Sequence, residues 1–152
     1  MGNFNARRNA ENFDKEQLIK TVKYCKIRGV KTYLTLNIML KESELKDALD
    51  TVKFAYKSGV DAVILQDLGL SKLIKEHIPN MEIHASTQMS LHSPAALKML
   101  KEMGFTRVVA AREMSKEQLK TFCEEAKSLD MQVEVFVHGA LCMSVSGQCL
   151  LS

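Results

Sequence analysis

The chain has 152 residues, 46% of them hydrophobic and 26% charged, with a formal net charge of +3. That apolar content is enough to bury a core, which excludes a disordered or fibrous chain. The charge is too small to identify or exclude a nucleic acid partner, because Lys and Arg are interleaved with Asp and Glu along most helices.

No apolar run approaches the roughly 20 residues that cross a bilayer. The N-terminal stretch is polar and charged rather than a secretory signal, so the expected location is the cytoplasm, with no membrane partner. In that setting the four cysteines read as core thiols, metal ligands or catalytic groups rather than disulfides.

From Asp14 onward, amphipathic stretches alternate with short β-branched runs, the pattern of parallel α/β architectures. Asp14 and Gln17 form a capping box that opens a helix with Leu18, Val22 and Cys25 on one face, ending before Gly29. Lys31 to Asn37 reads as the first strand. Ser43 is placed to cap a second helix, with Leu45, Ala48, Leu49, Val52 and Tyr56 on its inner side and its end at Ser58-Gly59. Val60 to Gln66 follows as a buried strand. A shorter helix runs from about Leu70 to His77, stopped by Pro79, and Met81 to His84 is the third strand. Ser93 and Pro94 supply a capping hydroxyl and an N1 proline for a helix that reaches Met103 and closes at Gly104. Arg107 to Ala110 is the fourth strand. Ser115 and Gln118 make another capping box, opening a helix with Leu119, Phe122, Cys123 and Ala126 inward, and Gln132 to Val137 is the fifth strand.

The segments RGVKTYL, SGVDAVI and MGFTRVV share one order of helix, glycine, apolar residue, polar residue and strand. Such repetition is what a helix-to-strand return gives when it recurs around a sheet. The expected fold is α/β: a parallel, TIM-like (β/α) barrel, incomplete, with about five of its eight β/α units. It is read as a single partial domain over 1–152 with open edges and a distinct cysteine segment over 134–152. The alternative is a complete doubly wound sheet, although no G-x-G-x-x-G follows any strand to suggest dinucleotide binding.

In either architecture chemistry sits where strands end and helices begin. Those positions are unusually polar here: Asn37; Gln66 and Asp67; His84 with Ser86, Thr87 and Gln88; Arg112 and Glu113; and His138. Amides, hydroxyls, imidazoles and charged groups hold a polar ligand by directional hydrogen bonds. Each also has a structural reading: Asp67 and Ser86 as helix caps, Glu113 as a partner of Arg112 or Arg107, His84 as a hydrogen-bonded core group. As a set they make a candidate site, with His84, Gln88, Arg112, Glu113 and His138 as catalytic candidates. Asn37, Gln66, Asp67, Ser86 and Thr87 are pocket candidates.

The closing residues, EVFVHGALCMSVSGQCLLS, differ from the rest. Gly139 permits a turn, and Cys142 and Cys149 bracket Ser144, Ser146 and Gly147. Small residues between two thiols let backbone wrap closely around an iron-sulfur cluster, which ordinarily takes four thiolates. Cys25 and Cys123 lie on apolar helix faces, where free cysteine acts as a small hydrophobe, so only two ligands are in reach. A zinc site, with His138 as a third ligand, meets the same shortage. A Cys142 nucleophile with His138 as its base is the peptidase-style alternative.

Glu134, Phe136, the run Gly139-Ala140-Leu141-Cys142, Gly147, Cys149 and Leu151-Ser152 resemble, in order and spacing, the signature of the collagenase-like peptidases, peptidase family U thirty-two. FNAR at Phe4–Arg7, TLN at Thr35–Asn37, QDLG at Gln66–Gly69, HASTQM at His84–Met89 and AARE at Ala110–Glu113 are similar to that family too, so the likeness covers the whole chain. The resemblance implies a (β/α) barrel of which this chain is an internal piece. It also implies one of two activities for the intact parent. One is proteolysis of peptide substrates, collagen included. The other is oxygen-independent hydroxylation of tRNA, rRNA or a quinone precursor, in some members with prephenate as oxygen donor. Several such members hold an iron-sulfur cluster through the signature cysteines and two farther along, which makes Cys142 and Cys149 two of four ligands by resemblance. Iron-sulfur-dependent hydroxylation of tRNA or rRNA is the expected activity, with protease as runner-up and a non-catalytic fragment as the third reading. Arg7, Arg8, Lys31 and Arg112 are the cations whose convergence an RNA surface needs.

Overall fold

The computed structural model describes Phe4, residues 13–139 and residues 144–147. The expectations for Arg7, Arg8, Cys142 and Cys149 concern residues outside that set. The chain forms two compact units, Met1–Glu82 and Ile83–Ser152.

In the first unit the order is α1 (Lys15–Lys26), β1 (Tyr33–Leu36), α2 (Glu42–Ser58), β2 (Ala62–Leu65) and α3 (Leu68–His77). The capping box of α1 is present: Asp14 Oδ1 accepts from the Gln17 amide at 2.8 Å, and Gln17 Oε1 accepts from the Asp14 amide at 2.9 Å. α2 starts before Ser43. Lys41 takes the cap position, and the Glu44 carboxylate satisfies its amide at 2.8 Å, which leaves Ser43 inside the first turn. α2 ends at Gly59 in the left-handed region, φ +90°, where an L side chain is strained. β1 and β2 pair in parallel from Tyr33 opposite Ala62 to Leu36 opposite Leu65. Asp61 sets that register, accepting from the Thr32 amide at 2.7 Å and its hydroxyl at 3.2 Å. Leu18 and Val22 of α1 and Ala48, Leu49, Val52 and Ala55 of α2 are buried, as are Ala62, Val63 and Leu65 of β2. Consecutive buried residues in β2 mean that both faces of the strand are covered, as parallel sheets require.

The second unit opens within β3 (Glu82–Ala85), which is followed by α4 (Leu97–Glu102), β4 (Phe105–Val109), α5 (Lys116–Ser128) and β5 (Gln132–Glu134). Single 3-10 turns at Thr87–Met89, Pro94–Ala96 and Val145–Gly147 lie in the connections. Ser93 caps the turn that leads into α4, and Ser115 with Gln118 forms the capping box of α5. β3 pairs with β4 and β4 with β5, all parallel, with an irregularity between Ile83 and His84. Within each unit every pairing joins consecutive strands, without the reversal of order that defines a doubly wound sheet. Phe105, Phe122, Leu97, Leu100 and Val108 form the centre of this unit.

β5 is shorter than the sequence pattern implies. It stops at Glu134, and Val135, Phe136 and Val137 are exposed to 39%, 55% and 93%. Among the described residues β4 is its hydrogen-bonded neighbour and nothing pairs along its outer edge, so no ladder extends the strand over those three apolar residues.

Candidate functional site

At the strand exits of the first unit, Asn37 and Gln66 are half-buried just past β1 and β2. Asp67 beside them is engaged in structure. It caps α3, with Oδ1 accepting from the Leu70 amide at 2.8 Å, and its Oδ2 accepts from the Leu40 amide at 3.2 Å in the β1–α2 loop. One carboxylate therefore joins two loops, and at 9% exposure little of it is open to a ligand.

The second unit brings more of the candidates together. Ile83, His84 and Ala85 are all fully buried, so β3 is covered on both faces and His84 faces the side opposite its two neighbours. Ser86 caps the turn Thr87–Met89, its hydroxyl accepting from the Gln88 amide at 3.3 Å. Thr87 Oγ1 donates to the Ala110 carbonyl at 3.5 Å, and the Ala111 amide donates to Leu91 O at 3.2 Å. These two bonds lay the β3 exit against the β4 exit. Arg112 is half-buried, and its Nε is buried with no hydrogen-bond partner among the described residues. His138 is exposed in the bend after β5.

Glu113 is the hub of this end of the unit. Its Oε1 accepts from the Ser146 amide and its Oε2 from the Ser146 hydroxyl, both short bonds across 33 residues of sequence. On the other side His92 Nε2 lies 3.3 Å from Oε2. His92 Nδ1 sits 2.7 Å from the Ser90 carbonyl. The Ser146 hydroxyl, then the Ser146 amide and the His92 ring, hold the Glu113 carboxyl well below the usual carboxylate range, at about 2. Neither arginine pairs with it: Arg107 is turned to Gln132 and, at 3.3 Å, to Glu134. Ser146 is fully buried and occupies a strained left-handed conformation, φ +39°. The turn Val145–Gly147, between the two thiols in sequence, packs against the turn Thr87–Met89. The middle of the cysteine segment is thereby fixed at the exits of β3 and β4.

His92 was not legible as a site residue, since nothing in SLHSP marks its ring for a carboxylate. Ser146 was visible only as a small residue between cysteines. Among the described residues no group of three or more His, Cys, Asp or Glu is arranged to hold a metal. Cys25 and Cys123 are half-buried free thiols on α1 and α5, in different units.

Residues 1–152 match the model of Peptidase family U32. The chain belongs to peptidase family U32. Two relatives from Escherichia coli are named for RNA modification: a 23S rRNA 5-hydroxycytidine synthase, 39% identical over 98% of this chain and 22% of its own length, and tRNA hydroxylation protein P, 39% identical over 92% and 30%. A third, from Porphyromonas gingivalis, is named collagenase and is 33% identical over 95% and 36%. The U32 chain thus spans between about a fifth and a third of the length of these relatives. A solved U32 peptidase shares the fold, with a TM-score of 0.61 over 80% of this chain and 51% of its own, at 16% identity. The α/β fold and the family expected from the sequence are both borne out.

Proposed function

We propose that this U32 chain is part of an oxygen-independent RNA hydroxylation enzyme acting on tRNA or rRNA. The observation that carries the reading is the 39% identity, over nearly the whole chain, to two relatives named for hydroxylating rRNA and tRNA. Cys142 and Cys149 are proposed as two thiolate ligands of an iron-sulfur cluster. The donor set of this chain does not fit a complete cluster: Cys25 and Cys123 sit in separate helices, so further thiolates have to come from outside these 152 residues. What this chain contributes is position. Glu113, ionised and doubly hydrogen-bonded to Ser146, supports a ligand segment held next to Ser86, Thr87 and Gln88. Arg112 supplies a partly buried cation whose Nε has no partner among the described residues, suited to a carboxylate-bearing co-substrate such as prephenate.

The relative named collagenase favours peptidase chemistry as the second reading. The described site lends it little support. The Ser146 hydroxyl donates to a carboxylate instead of to a base, and His92 meets Glu113 rather than a hydroxyl. An Escherichia coli strain lacking its own two hydroxylation relatives, complemented with the full-length protein, separates the readings. Mass spectrometry of digested rRNA and tRNA is expected to show a hydroxylated cytidine or uridine restored. Unmodified nucleosides together with gelatin cleavage that vanishes in Cys142→Ala would establish the peptidase.

A further inference from the structure

α1 differs from the other long helices in how its charge is arranged. On each of α2, α3 and α5 one lysine meets an acid about one turn away: Lys53 with Asp50 at 3.5 Å, Lys72 with Glu76 at 3.9 Å and Lys120 with Glu124 at 4.0 Å. α1 likewise has one such pair, Lys20 with Glu16 at 4.0 Å, and what differs is the stretch beyond it. From Lys20 to Lys31 the sequence carries no acidic residue, while Lys23, Lys26, Arg28 and Lys31 follow one another. For a chain whose net charge is only +3, this is a concentrated positive segment.

Burial sorts these cations by face. Leu18 and Val22 point into the unit, and on the same side Lys15 lies over the ring of Phe54 and Lys26 reaches Gly59. Lys20, Lys23, Tyr24 and Arg28 point the other way and are exposed. The Arg28 guanidinium lies 3.6 Å from the centroid of the Tyr24 ring, and Nη1 donates to the Tyr24 carbonyl at 3.1 Å. Tyr24 as a whole remains 59% exposed. A planar cationic pair held in place on a basic helix face has the two features that bind single-stranded RNA: charge for the phosphates and a π surface for an unstacked base.

We infer that the outer face of α1 and the turn that closes it, formed by Lys20, Lys23, Tyr24 and Arg28, is an RNA-binding surface that grips backbone phosphates and stacks one unpaired base against the Tyr24–Arg28 pair. The inference rests on the reading that RNA is the substrate, and it adds a contact surface within the first unit.

The test is fluorescence anisotropy of a labelled, unmodified tRNA transcript titrated with the protein at several KCl concentrations. Tyr24→Ala is expected to weaken binding by roughly 5- to 100-fold, and Tyr24→Phe to retain it, because stacking needs the ring and not the hydroxyl. The double variant Lys23→Gln/Arg28→Gln weakens binding and lowers the slope of log affinity against log salt by about 1 per cation removed. Lys72→Gln/Lys120→Gln, which removes lysines already paired with acids, leaves affinity and slope unchanged. Far-UV circular dichroism identical to the parent's shows that each variant is folded. Unchanged tRNA affinity in both α1 variants overturns the proposal. So does the absence of tRNA binding by the unsubstituted protein, or retention on phosphatidylserine vesicles that tRNA does not displace. Each of these outcomes leaves the hydroxylation reading to be decided by the nucleoside analysis, so the two failures are distinguishable.

Discussion

Glu113 carries two acceptor oxygens and spends both on one serine, which is unusual for a carboxylate whose side chain is still 35% exposed. The sign of its pH dependence follows from its depressed pKa. The folded value, about 2, lies below the ordinary 4.5, so the contact contributes fully above about 4.5 and is lost as pH falls toward 2. At neutral pH the anchor is fully charged. We therefore expect the Ser146 amide to be protected from hydrogen exchange between pH 5 and 7. Glu113→Ala should reduce that protection by roughly tenfold, the low end for a bond to a charged group because the carboxylate is partly solvated. NMR-detected exchange at Ser146 measures this, and equal protection in the variant contradicts the anchoring role.

The helices and their caps were readable because their determinants are local. Asp14 with Gln17 and Ser115 with Gln118 are each three residues apart, and both boxes close as expected. The start of α2 misled for the same reason in reverse: Ser43 is a better intrinsic cap than Lys41, but Glu44 reaching back to the Lys41 amide decides the boundary. Asp67 shows a local signal with a non-local addition, since it caps α3 and also holds the Leu40 amide. Asp67→Ala is expected to cost about 1–2 kcal/mol, the upper part of the capping range because two amides lose their acceptor. Phe122 on α5 is fully buried, and Phe122→Ala should cost about 3–5 kcal/mol. Urea unfolding midpoints check both, and a loss at Phe122 no larger than at Asp67 contradicts the assignment of the core. The end of β5 and the contacts of Glu113 were not legible. The first depends on no strand pairing along the outer edge of β5 among the described residues, and the second joins residues 33 positions apart in sequence.

At the scale of the molecule, the parallel pairings and the repeated helix-glycine-strand return made the fold class legible, because alternation is a property of the whole pattern and survives errors at single boundaries. The polar strand exits were legible as a set, but their division of labour was not: Asp67 is occupied by loop amides, whereas Glu113 is occupied by the cysteine segment. Exposed Val135, Phe136 and Val137 follow directly on β5, so the apolar stretch leading into that segment is uncovered in this chain. Residues 144–147, between the two cysteines in sequence, are held against the turn Thr87–Met89 and Glu113, and the proposal built on that placement is that Cys142 and Cys149 belong to a ligand loop. Iron and acid-labile sulfide, assayed after anaerobic reconstitution of the full-length protein, test it most directly. Iron and sulfide in equal amounts, lost in Cys142→Ser and in Cys149→Ser and diminished in Glu113→Ala, is the predicted result. A full-length protein that takes up no iron, or one whose iron is indifferent to both cysteines, contradicts it.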